Sequence, residues 1–140
     1  MLEVKIFTLY PDLFPGPLDI GIFKKAKENK IWNLKVINIR DYSKDNHGTV
    51  DDTPFGGGNG MLLRPDILAS ALDVNTKKGE KIIYLSPRGK KFDQSVARSL
   101  SKEKNLNLIC GHFEGVDQRL LETRNIEEYS LGDYILSGGE

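Results

Sequence analysis

The sequence is short of several things, and each shortage removes a class of protein. It holds one cysteine, Cys110, so no internal disulfide can brace the fold. His47 and His112 are its two histidines. Neither has a Cys, His or carboxylate at metal-ligand spacing, so zinc binding and histidine-based catalysis find no support. No run of about 18 apolar residues occurs, and no transmembrane helix is expected. No basic stretch followed by an apolar one opens the chain, so no secretory signal is expected. There is no surplus of charge either: 20 Lys and Arg balance 20 Asp and Glu. Whole-chain charge therefore lends nothing to nucleic-acid binding. The expectation is a reducing, cytoplasmic compartment without membrane contact.

What is present is one domain's worth of chain, 140 residues with 39% apolar and 29% charged, enough to build a real core. Residues 1–100 carry 16 basic and 12 acidic side chains, and residues 101–140 carry 4 and 8. A solvated helix face explains that acidic surplus.

Glu3 to Tyr10 reads as a strand, ended by Pro11 and Pro15-Gly16-Pro17. Asp19 to Asn29 reads as an amphipathic helix, with Ile20, Ile22, Phe23 and Ala26 apolar between lysines. Ile31 to Ile39 alternates as a second strand. Arg40 to Gly60 has neither period and is expected to be a long loop, a feature more often functional than not. Asp66 to Val74 is a helix entered through Pro65. Lys81 to Leu85 is a third strand, with Ser86-Pro87-Arg88-Gly89 after it. Phe92 to Ser101 is helical with Asp93 near its start, Leu106 to Cys110 is a fourth strand, and Val116 to Arg124 is helical. Glu128 to Leu131 supplies a fifth strand. Strands alternating with helices give an α/β class with a mainly parallel sheet. Ligands in such sheets sit beyond the carboxyl ends of strands. Ser86–Gly89, Gly111–Gly115 and Leu131–Gly139 fall at or near such ends, which predicts a site built largely from backbone.

Asp51-Asp52-Thr53-Pro54-Phe55-Gly56-Gly57-Gly58-Asn59-Gly60-Met61 is the most unusual segment. It fits neither G-x-G-x-x-G nor a Walker A loop, and no strand is expected before it. It is either a hinge or a loop that folds over a substrate. Asp51 and Asp52 suit hydrogen bonds from base N–H groups, and suit capping the loop equally well. Glu114, between Gly111 and Gly115, is either a polar determinant or an exposed loop acid. Phe113 either stacks on a ring or joins the core. Cys110 reads as a small core residue. Arg88, Lys90 and Lys91 would meet phosphates together with Lys24, Lys25 and Lys27 only if all six shared a face. No Ser/His/Asp set with a nucleophile elbow is present.

Four stretches carry a family resemblance, in order and at matching separations. They are Thr49 to Met61, Ile83-Tyr84-Leu85-Ser86-Pro87-Arg88-Gly89, Cys110-Gly111-His112-Phe113-Glu114-Gly115-Val116-Asp117 and Leu131-Gly132-Asp133-Tyr134-Ile135-Leu136-Ser137-Gly138-Gly139-Glu140. The chain resembles, over residues 1–140, the bacterial tRNA (guanine-N1)-methyltransferases of the SPOUT class, which modify the guanine 3′ of the anticodon. That resemblance implies an α/β fold with a mainly parallel sheet and helices on both faces. It implies a trefoil knot in the complete protein, incomplete in this chain. Residues 1–140 would form the S-adenosylmethionine-binding domain, truncated at its C-terminal end, with the family's RNA-binding domain absent. A homodimer with active sites at the subunit interface is implied, with tRNA as partner. The donor would contact Tyr84, Leu85, Ser86, Pro87, Gly111, Phe113 and Glu114, then Leu131, Gly132, Asp133, Tyr134, Ile135, Leu136, Gly138 and Gly139. Peptide groups between Leu, Ile and Gly can read an adenine edge, and a carboxylate near the sulfonium would help hold its charge.

Guanine N1 carries a proton at neutral pH, so a general base must take it as the methyl moves. A cation near O6 would stabilise the developing charge. The resemblance assigns these roles to an Asp and an Arg downstream of the Leu-Ser-Gly-Gly-Glu motif. No catalytic residue is therefore expected within this chain, and the chain alone is expected to be inactive. Glu114 and Asp51 are the candidates for contacting a flipped-out guanine or organising a Mg²⁺ ion. Phe55 and Phe113 stand where the family commonly has Tyr, and Asn59 where it has Pro. A competing reading is a module that holds a nucleoside or RNA without turnover, and methyl transfer to tRNA discriminates the two.

Overall fold

The apolar run near the start is a strand, Leu2–Thr8 (β1), in the computed structural model, which describes residues 1–43, 51, 52, 62–111, 116–132, 134 and 138–140. Ile6, Phe7 and Thr8 are buried in succession, the mark of a strand covered on both faces. A first helix (α1, Gly21–Glu28) leads to a second strand (β2, Trp32–Asn38). Two short strands follow, β3 (Asp51–Asp52) and β4 (Leu62–Leu63). Then come α2 (Pro65–Asn75), β5 (Lys81–Lys91), α3 (Gln94–Leu100), β6 (Asn105–Ile109), α4 (Gln118–Thr123) and β7 (Glu127–Ser130).

The main sheet has five strands in the order β2-β1-β6-β5-β7, every pairing parallel. The α/β class and both-sided helix cover are as expected. On one face α2 and α4 bring Ile67, Leu68, Ala71, Leu72, Leu120 and Leu121 onto Phe7, Tyr84 and Ile109. On the other, Val96 and Leu100 of α3 meet Ile83, Leu85, Leu106 and Tyr129. Among the described residues no helix is long and apolar enough to cross a membrane.

Local chemistry explains the helix ends. Pro65 opens α2, where its missing N–H costs nothing. Lys5 Nζ donates to the Asn75 carbonyl at the far end of α2 at 2.6 Å, a cation placed on the negative pole of a helix. Glu80 lies 3.9 Å from Lys5 and accepts from the wholly buried Asn107 Nδ2 at 2.9 Å. This polar cluster ties the middle of β1 and β6 to the start of β5 and to α2. Asp93 caps α3 by accepting the Val96 N–H at 2.9 Å. Asp117 caps α4 by accepting the Arg119 N–H at 2.8 Å, and its other oxygen is 3.0 Å from the Arg119 guanidinium.

The bond from the Arg119 side chain holds the Asp117 carboxyl below its ordinary value. A group so depressed stabilises the fold above its unfolded pKa and loses that contribution as pH falls through the folded value. Asp117→Ala is expected to cost about 1 kcal/mol at pH 7. The gap between variant and parent should close below the ordinary carboxylate range, as urea unfolding at several pH values would show.

Three expectations need correction. The strand expected to end at Leu85 runs on to Lys91. Ser86–Gly89 is not a loop after it but a bulge inside it, because Leu85 and Lys90 both pair with Tyr129. The stretch from Arg40 to Gly60 is not loop throughout. Ile39–Tyr42 turns as a 3-10 helix, and Asp51-Asp52 pairs antiparallel with Leu62-Leu63. A strand therefore does precede the glycine-rich segment, while Gly56–Gly60 itself lies outside the described residues. The apolar positions of α1 form a helix as expected, but none is buried. Ile20, Ile22 and Phe23 stay 68%, 77% and 50% exposed.

Candidate functional site

The carboxyl-end rim of the sheet begins at β5. Its backbone leaves the β7 ladder after Leu85 and rejoins at Lys90, so four residues project from the edge. Ser86 is buried and its Oγ accepts the Arg88 N–H at 3.2 Å, which tightens the bulge. Pro87 and Arg88 are exposed. Gly89 closes the excursion flat on β7, since a Cβ there would lie 2.5 Å from the Tyr129 nitrogen and 2.7 Å from the Glu128 carbonyl carbon.

Tyr84 precedes the bulge and joins the core beneath the rim. Its ring rests on Gly111, where a Cβ would overlap Cε1 and lie 3.0 Å from the hydroxyl. Burial raises the Tyr84 hydroxyl above its ordinary value, the Glu128 carboxylate adds to that, and Arg88 opposes it. Glu128 Oε2 is buried and has no hydrogen-bond partner among the described residues, and buried polar atoms rarely go unpaired. Sequence reading missed Glu128. A carboxylate in a short, polar, four-residue strand carries no local signal of burial.

Cys110 is a core residue, as expected. Burial, then the charge of Glu140, pushes its thiol up to about 12, so it is neither thiolate nor nucleophile at neutral pH. Immediately after it, the Gly111 carbonyl accepts the Gly139 N–H at 3.1 Å. A Cβ on Gly139 would lie 2.9 Å from the Cys110 Cα. Glycine at 139 is therefore what lets two backbones run in contact.

Past the end of β7, one strand over from β5, Ser130 Oγ donates to the Gly132 carbonyl at 3.0 Å. A Cβ on Gly132 would lie 2.6 Å from the Tyr134 ring. Leu131 and Tyr134 are half exposed, at 49% and 53%.

The structure thus joins Tyr84, Gly111 and Gly139 in one contact, with Leu85, Ser86 and Pro87 following Tyr84 along β5. It sets Leu131, Gly132 and Tyr134 at the neighbouring strand end, and Gly138 beside Gly139. Phe113, Glu114, Asp133, Ile135 and Leu136 lie outside the described residues, as do His47 and His112. Asp51 takes a strand position opposite Leu63. The two basic groups lie toward opposite edges of the sheet. Lys24, Lys25 and Lys27 belong to α1, which meets β2 at one edge of the sheet, whereas Arg88, Lys90 and Lys91 lie on β5, next to the other. Among the described residues no group of three or more His, Cys, Asp or Glu is placed to hold a metal ion.

A family model described as tRNA (Guanine-1)-methyltransferase TrmD matches residues 2–140. The chain belongs to this family. A relative from Pelagibacter ubique (strain HTCC1062), named tRNA (guanine-N(1)-)-methyltransferase, is 68% identical over 140 residues, covering 100% of this chain and 61% of its own length. One of the same name from a Wolbachia of Brugia malayi is 51% identical over 142 residues, covering 100% of this chain and 60% of its own. Another from Rhodospirillum rubrum is 46% identical over 139 residues, 99% of this chain and 58% of its own. The chain spans about three fifths of the length of the curated relatives it matches. The all-parallel five-stranded sheet is consistent with the fold of the tRNA (guanine-1)-methyltransferase family, and the matched region includes the bulge of β5, Gly111 and the residues after β7.

Proposed function

We propose that the whole protein transfers a methyl group from S-adenosylmethionine to N1 of the guanine 3′ of the anticodon in tRNA, and that residues 1–140 supply its donor-binding domain. The observation that carries this reading is the meeting of Tyr84, Gly111 and Gly139 at the rim of a chain that matches the family from residue 2 to 140.

The residues present fit a flat nucleoside carrying a positive charge. Peptide groups at Gly111, Gly138 and Gly139 other than those spent on the Gly139–Gly111 bond can meet an adenine edge. Leu131 and Tyr134 offer exposed apolar surface past the end of β7 on the same rim, and buried apolar area is the main source of affinity for such a ring. The Glu128 carboxylate, opposite Tyr84 in the β5–β7 ladder, adds negative potential for a cation. Bound there, the donor supplies an electrophilic methyl on sulfur. The proposed contacts are Tyr84, Leu85, Ser86, Pro87, Gly111, Phe113, Glu114, Leu131 to Leu136, Gly138 and Gly139. Their work is to hold the donor against the rim and keep water off its methyl. Glu114 and Asp51 are proposed to hold the flipped-out guanine or to organise a Mg²⁺ ion. Removal of the N1 proton falls to an Asp downstream of Glu140. A cytoplasmic homodimer completes the proposal, and the uncovered apolar residues of α1 provide surface for a second copy to cover.

The test is incubation of the whole protein with tRNA and methyl-labelled donor, followed by nucleoside mass spectrometry. The expected product is 1-methylguanosine from tRNA bearing guanine 3′ of the anticodon. Label on any other atom, or none on any tRNA, refutes the reading.

A further inference from the structure

The strand order sets the carboxyl ends of β1 and β6 side by side. From β1 the chain crosses to β2 on one side. From β6 it passes over β5 to β7 on the other. In open α/β sheets a crevice opens where connections diverge in this way, and ligands ordinarily settle in it. Here the chain itself sits at that crevice. Gly139 donates to the Gly111 carbonyl at 3.1 Å, and Thr8 Oγ1 donates to Glu140 Oε2 at 2.8 Å. Thr8 is the last residue of β1 and is wholly buried. Its oxygen also accepts the Tyr10 N–H at 3.0 Å, which fixes the hydroxyl so that its proton points one way.

We propose that Thr8 and Glu140 form a latch that positions Gly138 and Gly139 for the donor, with neither side chain touching it. This rests on the donor reading above. Two adjacent glycines lose more conformational freedom on ordering than any other pair. A hydrogen bond to an ionised carboxylate, made before the ligand arrives, removes part of that cost from the binding step. Thr8 and Glu140 are thus positioning residues. Their deletion should weaken donor binding with the sheet left standing, because Glu140 is exposed and Thr8→Val keeps the buried shape.

The experiment is calorimetric titration of S-adenosylhomocysteine, the demethylated donor, into the whole protein and four variants, with amide exchange followed at Gly139. Thr8→Val and Glu140→Ala are each expected to weaken binding by roughly tenfold, the scale of one charge-assisted hydrogen bond. The double variant should lose less than the sum of the two single losses, since the Thr8–Glu140 bond is common to both. Thr8→Ser, which keeps the hydroxyl, should bind as the parent does. Exchange at Gly139 should quicken in Thr8→Val and Glu140→Ala alone. If exchange quickens while affinity holds, the bond orders the segment without serving the donor, and the proposal is overturned. If Thr8→Val fails to fold, Glu140→Ala decides: parental affinity there overturns it equally. A parent that does not bind the compound refutes the donor reading itself, and in that case Gly139 exchange stays slow.

Discussion

Valine at position 89 is expected to cost about 3 kcal/mol or more, the upper range for overpacking. A Cβ there would lie 2.5 Å from the Tyr129 nitrogen and 2.6 Å from the Tyr129 carbonyl carbon. Those are main-chain atoms of a paired strand, so no rotamer change relieves the clash. β7 must lift from β5, and the bulge that holds Ser86 goes with it. A domain of this size has roughly 5–15 kcal/mol in all, so the loss is a large share. Lys90→Ala, an exposed change one residue on, should stay within about 0.5 kcal/mol. Urea unfolding of the pair decides it: parental stability in Gly89→Val would mean that β7 does not lie where the structure puts it.

The second large effect concerns Gly111. A side chain there would strike the Tyr84 ring, which is buried at 7% exposure and held by the core. If Gly111 only lined the donor site, the damage would be space taken from the ligand. The structure adds that the first atoms met belong to the protein's own tyrosine. Gly111→Val should weaken binding of S-adenosylhomocysteine by about a hundredfold, close to 2.8 kcal/mol, and should destabilise the fold by about 2 kcal/mol. Tyr84→Ala should cost less in the Gly111→Val background than in the parent, because the clash vanishes with the ring, and the affinity should not return. Strictly additive losses in the double variant would show that residue 111 and Tyr84 do not meet.

Elements with their own periodicity or punctuation were legible. α2 has Pro65 in front and apolar residues on one face, and α3 has Asp93 as its cap. β1 declares itself by an apolar run. The bulge was not legible, because Pro87 and Gly89 ordinarily punctuate a strand's end, whereas here β7 pairs on both sides of them. The helical pattern of α1 was readable, but not that its apolar side stays uncovered, since burial depends on what packs there. At the rim, Gly89 and Gly111 were legible as points of close approach, but not that β7 and the Tyr84 ring are what approach them. Glu128 and the Thr8–Glu140 bond gave no warning. The first is a matter of which face a short strand turns inward. The second joins residues 132 positions apart, and no local pattern encodes such a distance.

That separation also bears on how the molecule comes into being. Bringing together two points so far along the chain is slow, because the entropy of closing the intervening loop is lost before any contact repays it. β1 leaves the ribosome first, yet its last residue finds its partner only when residue 140 has emerged. During synthesis, strands and helices can assemble in turn while the rim stays unfinished, so a nascent chain not yet extended to Gly139 can be folded in its core and still lack the backbone contact at Gly111.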